Sequence, residues 1–128
     1  MGLDVEFDSI KRTEVGSFRK SNFFLTYFGV TDDDNGVDIE ISLETFEEFV
    51  ADLKCEILQF KERSKQYAGC VEIPPVNPRF YSCEVPFGGS TLYDEFYWGD
   101  LHRAYDWAIK VLRDFDWDGH KLVLNCNW

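Results

Sequence analysis

Positive charge is scarce in this chain. Thirteen Lys and Arg stand against 24 Asp and Glu, a formal charge of −11 over 128 residues. Wrapping a phosphate backbone needs clustered Lys and Arg, so direct nucleic-acid binding is not expected. Long apolar runs are also missing, and no stretch reaches the roughly 20 residues that cross a bilayer. The N-terminus shows no basic region followed by an apolar stretch, so no signal peptide is expected and the setting is cytoplasmic. Met1-Gly2 opens like a myristoylation signal, but Glu6 stands where Ser or Thr is wanted. Cysteine is limited to Cys55, Cys70, Cys83 and Cys126, with no C-x-x-C pair. That removes the zinc-ribbon and thioredoxin-type readings and points to reduced thiols, with Cys55 and Cys126 expected in the core. His102 and His120 are the only histidines, which limits acid–base and nucleophilic chemistry.

Aromatics, by contrast, are abundant: 12 Phe, 6 Tyr and 4 Trp, 17% of the chain. With 45% hydrophobic residues, this is enough for one domain with its own core. Leu3, Val5 and Phe7 alternate with acids, a half-buried strand. From Ser17 the spacing of Phe18, Phe24, Leu25 and Phe28 predicts a helix that Gly29 stops. Val37, Ile39 and Ile41 alternate with Asp38, Glu40 and Ser42, a second strand. Phe46, Phe49, Val50, Leu53, Ile57 and Phe60 recur at helical steps, predicting a helix over 43–65 capped by Ser42. Pro74, Pro75 and Pro78 predict a loop over 69–79. Residues 79–85 read as a third strand. A last helix is predicted over 96–115, its stripe including Leu101, Ala104, Ala108 and Leu112, and a last strand over 121–126. The fold class is therefore α+β: a single small domain with about four strands in a mainly antiparallel sheet packed with three helices.

The densest chemistry lies in 87–100, with three Gly, hydroxyls, carboxylates and aromatics before a helix. Gly88, Gly89, Ser90 and Thr91 can cradle a phosphate at a helix N-terminus, although the Walker lysine is missing. Tyr93, Phe96, Tyr97 and Trp98 can stack a base. Asp94, Glu95 and Asp100 are candidate acid–base or magnesium carboxylates, though carboxylates at a helix start also suit the dipole alone. Ser90 or Cys83 with His102 lacks a nucleophile elbow. No set completes the roles of nucleophile, base and oxyanion donor, so no catalytic residues are assigned. The run Asp32-Asp33-Asp34 invites a calcium reading, but Val37 and Leu43 stand where an EF-hand needs Gly and Glu. No cofactor or metal is assigned.

Three segments carry a resemblance. Met1-Gly2-Leu3-Asp4, Val15-Gly16-Ser17-Phe18-Arg19-Lys20-Ser21-Asn22 and Phe87-Gly88-Gly89-Ser90-Thr91-Leu92-Tyr93-Asp94-Glu95 together resemble a group of small uncharacterised phage and prophage proteins. That group has a similar opening strand, an aromatic-Arg-Lys-x-Asn helix and a Phe-Gly-Ser-Thr-x-Tyr-Asp-Glu loop before a final helix. This chain adds one Gly in the loop and an extension from Trp117 to Trp128. The resemblance implies a phage-type setting inside a host cell and marks Arg19, Lys20, Asn22, Ser90, Thr91, Tyr93, Asp94 and Glu95. It implies no reaction.

Two binding readings follow, from different parts of the chain. Asp32, Asp33, Asp34, Asp38, Glu40, Glu44, Glu47 and Glu48 crowd a turn, a strand face and a helix start. They suit an anti-defence or host-takeover factor facing a basic host protein, such as a nucleic-acid-binding defence enzyme. Alternatively, Arg19, Lys20 and Asn22 join Gly88, Gly89, Ser90, Thr91, Tyr93, Asp94, Glu95 and Trp98 around a nucleotide-type ligand. A small hydrolase or transferase is the third reading.

Overall fold

The computed structural model describes residues 3–9, 13–19, 21–66, 72–81 and 92–128. Among them run β1 (Asp4–Ser9), β2 (Glu14–Arg19), α1 (Phe23–Phe28), β3 (Asp38–Ile41), α2 (Leu43–Gln66), α3 (Glu95–Asp114) and β4 (Leu122–Asn127). Short 3-10 turns cover Asp32–Asp34 and Pro78–Phe80. The strands form one antiparallel sheet in the order β2-β1-β4-β3. The domain is a small α+β fold of four strands and three helices among the described residues.

Alternation decides which side of the sheet is covered. Val5 lies opposite Cys126 and Phe7 opposite Leu124, and Leu124 in turn faces Ile39 across to β3. These side chains, with Leu122 and Ile41, meet the helices and are buried or half-buried. The intervening Asp4, Asp38, Glu40 and Asn127 are exposed, so the sheet has one packed and one wet face, as antiparallel sheets commonly do. The helices supply the other half of the core through Phe46, Phe49, Leu53, Leu101, Ala104 and Ala108, each fully buried. Ser42 caps α2, its Oγ accepting the Thr45 N–H at 3.2 Å. Trp128 docks by exchanging two bonds with Asn35.

Several expectations need correction. The helix predicted from Ser17 is a strand as far as Arg19, and helix is confined to Phe23–Phe28, closed by Gly29 at φ +69°. Phe18 faces the core from the strand, opposite Val5. The strand predicted from Arg79 begins instead as the turn Pro78–Phe80, because Pro78 and the Asn77 cap bend the chain there; residues 82–85 lie outside the described residues. Cys55 is exposed rather than core, since it sits on the outer side of α2. Leu112 is only half-buried, and its neighbour Val111 takes the inner position. Cys126 is buried, and that burial, with the Asp34 carboxylate adding, pushes its thiol up to about 12.

Gly16 marks the closest approach of helix to sheet. Trp107 of α3 lies across β2 and its Nε1–H donates to the Val15 carbonyl at 2.9 Å. A Cβ on Gly16 would stand 2.6 Å from Trp107 Cε2, well inside contact distance. Gly16→Ala should therefore force the indole off Val15 and cost about 2 kcal/mol in denaturant unfolding. A variant as stable as the parent would show that the indole can move aside freely.

Candidate functional site

Two surface regions gather the candidate residues. The first is an acidic arc. Asp32, Asp33, Asp38, Glu40, Glu44, Glu47 and Glu48 are exposed and Asp34 is half-buried. The 33 residues from Ser21 to Leu53 contain no Lys, Arg or His. These acids lie on the 3-10 turn, on the wet face of edge strand β3 and in the first turns of α2. Asp34 is turned inward on its own loop, accepting from Thr31 N at 2.8 Å and Thr31 Oγ1 at 2.9 Å. Asp38 accepts from Asn125 Nδ2 at 2.8 Å.

Only two cations reach the arc among the described residues. Lys121 Nζ lies 3.8 Å from Glu40. Arg79 pairs with Glu48 and lies 3.5 Å from Asp52. Its guanidinium also sits 3.7 Å from the centroid of the Tyr27 ring, whose hydroxyl donates to Asp52 at 2.7 Å. Burial, then the Asp52 hydrogen bond and charge, raise the Tyr27 phenol well above its usual value, so it stays protonated and donating. Arg79 thus clamps the Pro78–Phe80 turn to α1 and α2, a structural duty. Asp32, Asp33, Glu44 and Glu47 have no cation beside them among the described residues. Beside the arc, a groove of about 370 Å³ runs between the β3–α2 junction and the turn at Trp117–Lys121.

The second region is a cleft of about 460 Å³ between the end of β2 and the start of α3. Arg19, Ser21, Asn22 and Phe23 line one side; Leu92, Asp94, Phe96, Tyr97, Asp100 and Arg103 line the other. Arg19, Asn22 and Asp94, picked from the sequence, therefore meet here although some 70 residues separate the two sides. Lys20 and Gly88, Gly89, Ser90 and Thr91 lie outside the described residues. Glu95 is exposed in the first turn of α3. Trp98 is in the core, not at the cleft: it stacks on Phe60 at 4.3 Å and its Nε1–H donates to the Ile73 carbonyl at 2.7 Å. Tyr93 is half-buried, edge-on to Tyr97 at 5.1 Å.

The carboxylates of the cleft are engaged. Asp94 is the N-cap of α3, its Oδ1 accepting from Phe96 N at 3.1 Å and Tyr97 N at 3.2 Å. It satisfies two of the donors that a helix start would otherwise offer an anion. Asp100 pairs with Arg103 one turn on, and Ser21 Oγ donates to it at 3.4 Å. Arg19 Nε lies 3.5 Å from Asp4 on the neighbouring strand. Sequence reasoning missed Arg103, Ser21 and Leu92. For Arg103 a signal existed, its i,i+3 spacing from Asp100.

No family model, curated protein or solved structure matches the chain. Among the described residues no group of three His, Cys, Asp or Glu is placed to hold a metal ion, and no helix is long and apolar enough to cross a membrane. His102 is exposed on α3; Ser90 and Cys83, its suggested nucleophiles, lie outside the described residues.

Proposed function

We propose that the protein acts by binding, presenting the acidic arc of residues 32–48 to a basic protein surface. The observation that carries this is the arc itself: eight acids in seventeen residues, no base among them, seven of the eight exposed. Carboxylates fixed on a strand, a helix and a capped turn lose little freedom on binding, which favours a field that steers a basic partner. The resemblance to phage and prophage proteins suggests the setting, a host cell, and the kind of partner, a host nucleic-acid-binding defence enzyme whose basic groove the arc would occupy. On this reading the protein is an anti-defence or host-takeover factor.

The test begins with capture from bacterial extract at about 50 and 300 mM salt, since screening weakens exposed charge pairs over this range. The retained protein should fall away at high salt and be released by competing duplex DNA. Its association with the combined variant Asp32→Asn, Asp33→Asn, Glu44→Gln, Glu47→Gln should be about tenfold slower, with a smaller change in dissociation. Retention that ignores salt, DNA and the four substitutions would count against the arc.

A further inference from the structure

We propose that the cleft between β2 and α3 is a second binding site, for a small molecule that joins a flat ring to a single anionic group, of the nucleoside monophosphate class. Phe96 and Leu92 carry the argument. They are 75% and 60% exposed, the two most exposed large apolar side chains among the described residues. Both stand at this cleft. Scattered exposed apolar residues are ordinary, but two together on a concave surface leave apolar area that a ring can cover. The cleft volume, about 460 Å³, lies in the range of roughly 300–1,000 Å³ typical of small-molecule sites.

The charge pattern selects the rest of the ligand. Asp94 and Asp100 already serve internal donors, the α3 backbone for one, Ser21 and Arg103 for the other. The two guanidinium side chains remain 75% and 74% exposed, Arg19 at the end of β2 and Arg103 on α3. Among the described residues the Arg19 guanidinium has only the long contact to Asp4, so it is the cation best placed to take an anion with paired N–H donors. A lone phosphate attached to a ring suits that arrangement. A polynucleotide does not, because a chain at −11 repels an extended polyanion. This site shares no residue with the acidic arc, so either can fail alone.

The experiment is calorimetric titration of the whole chain with AMP, GMP, CMP and UMP, and separately with adenosine and inorganic phosphate. At least one nucleotide should bind with Kd below about 1 mM. Phe96→Ala should weaken it about tenfold through lost stacking, and Arg19→Ala about tenfold through the lost charge-assisted bonds. Both positions are largely exposed, so the thermal midpoint should stay unchanged, which separates a lost site from a lost fold. The corresponding nucleoside and phosphate alone should each bind about tenfold more weakly than the nucleotide. Absence of binding by all four nucleotides up to roughly 10 mM would overturn the proposal. So would binding that both substitutions leave intact, or phosphate alone binding as tightly as the nucleotide.

Discussion

Replacing Phe49 by alanine should cost about 4 kcal/mol, the largest single loss expected in this domain. Its ring is the junction of the helical layer. Tyr27 and Phe28 of α1 stand 4.9 and 5.0 Å away, Phe24 5.8 Å, Phe46 5.9 Å and Phe80 6.3 Å. Five rings from three separate segments therefore lose a neighbour at once. They cannot all close the gap, because each is held elsewhere: Tyr27 by Asp52, Phe80 by stacking on Tyr27, Phe24 by Phe7. Unfilled space of this kind is what raises the cost above simple transfer. Against a total stability of about 5–15 kcal/mol, a loss of that size makes the variant marginal. Urea unfolding measures it, with the slope against denaturant unchanged from the parent. Phe49→Leu keeps most of the volume and should lose much less. A cost for the alanine variant near 1 kcal/mol would mean that the surrounding rings collapse inward and that no fixed aromatic cluster joins α1 to α2.

The parts of this core that could be read from the sequence are those whose pattern is carried by many residues in a row. The α2 stripe from Phe46 to Phe60 and the α3 stripe from Leu101 to Ala108 repeat over several turns, and both helices form almost where the spacing puts them. The alternating acids and aliphatics of β1 and β3 were equally plain. β2 was misread for a specific reason. Of its inward positions only Phe18 carries a large apolar side chain, while the other, opposite Phe7, is Gly16. That glycine is small because an indole from 91 residues further on fills its place. The apolar signal of the strand is supplied by another element, so a local pattern search finds Phe18 and joins it to the helix that follows. Four strands lie among the described residues, one of them at 14–19 where the local pattern points to a helix, while the strand expected over 79–85 begins as a turn and then passes outside the described residues.

Much the same holds for the two candidate regions. The acidic arc was visible because its members are nearly consecutive. The cleft was half visible: Arg19, Asn22 and Asp94 stood out in short motifs, but nothing local says that Trp98 turns into the core while Phe96, two residues earlier, stays in water. That choice is made by Phe60 and the Ile73 carbonyl, which meet the indole from α2 and from the loop before α3.

Glu56 makes the same point from the interior, and its removal should have the second largest effect. It lies three residues after Leu53 and four before Phe60, within the apolar stripe of α2, and it is 2% exposed. An isolated carboxylate there would be costly. The proline-rich loop supplies its partners: Val76 N donates to Oε2 at 3.1 Å and Asn77 N donates to Oε1. One carboxylate thus satisfies two successive backbone donors that no strand or helix serves. Asn77 in turn caps the Pro78–Phe80 turn, its Oδ1 accepting from Arg79 N at 3.0 Å, and the Phe80 carbonyl accepts the hydroxyl of Tyr97, whose ring lines the cleft. Glu56→Ala leaves two donors without an acceptor and a void in the stripe, an expected cost of about 3 kcal/mol. Glu56→Gln keeps one acceptor oxygen but points an NH2 at the other donor, and should cost about 2 kcal/mol despite nearly identical shape. In both variants the Val76 and Asn77 amides should exchange with solvent well before the α2 amides do, which hydrogen exchange by NMR resolves residue by residue. If Glu56→Gln unfolds at the parent's midpoint and both amides stay protected, the loop is held by its prolines and its packing against α2, and the buried carboxylate is not its anchor.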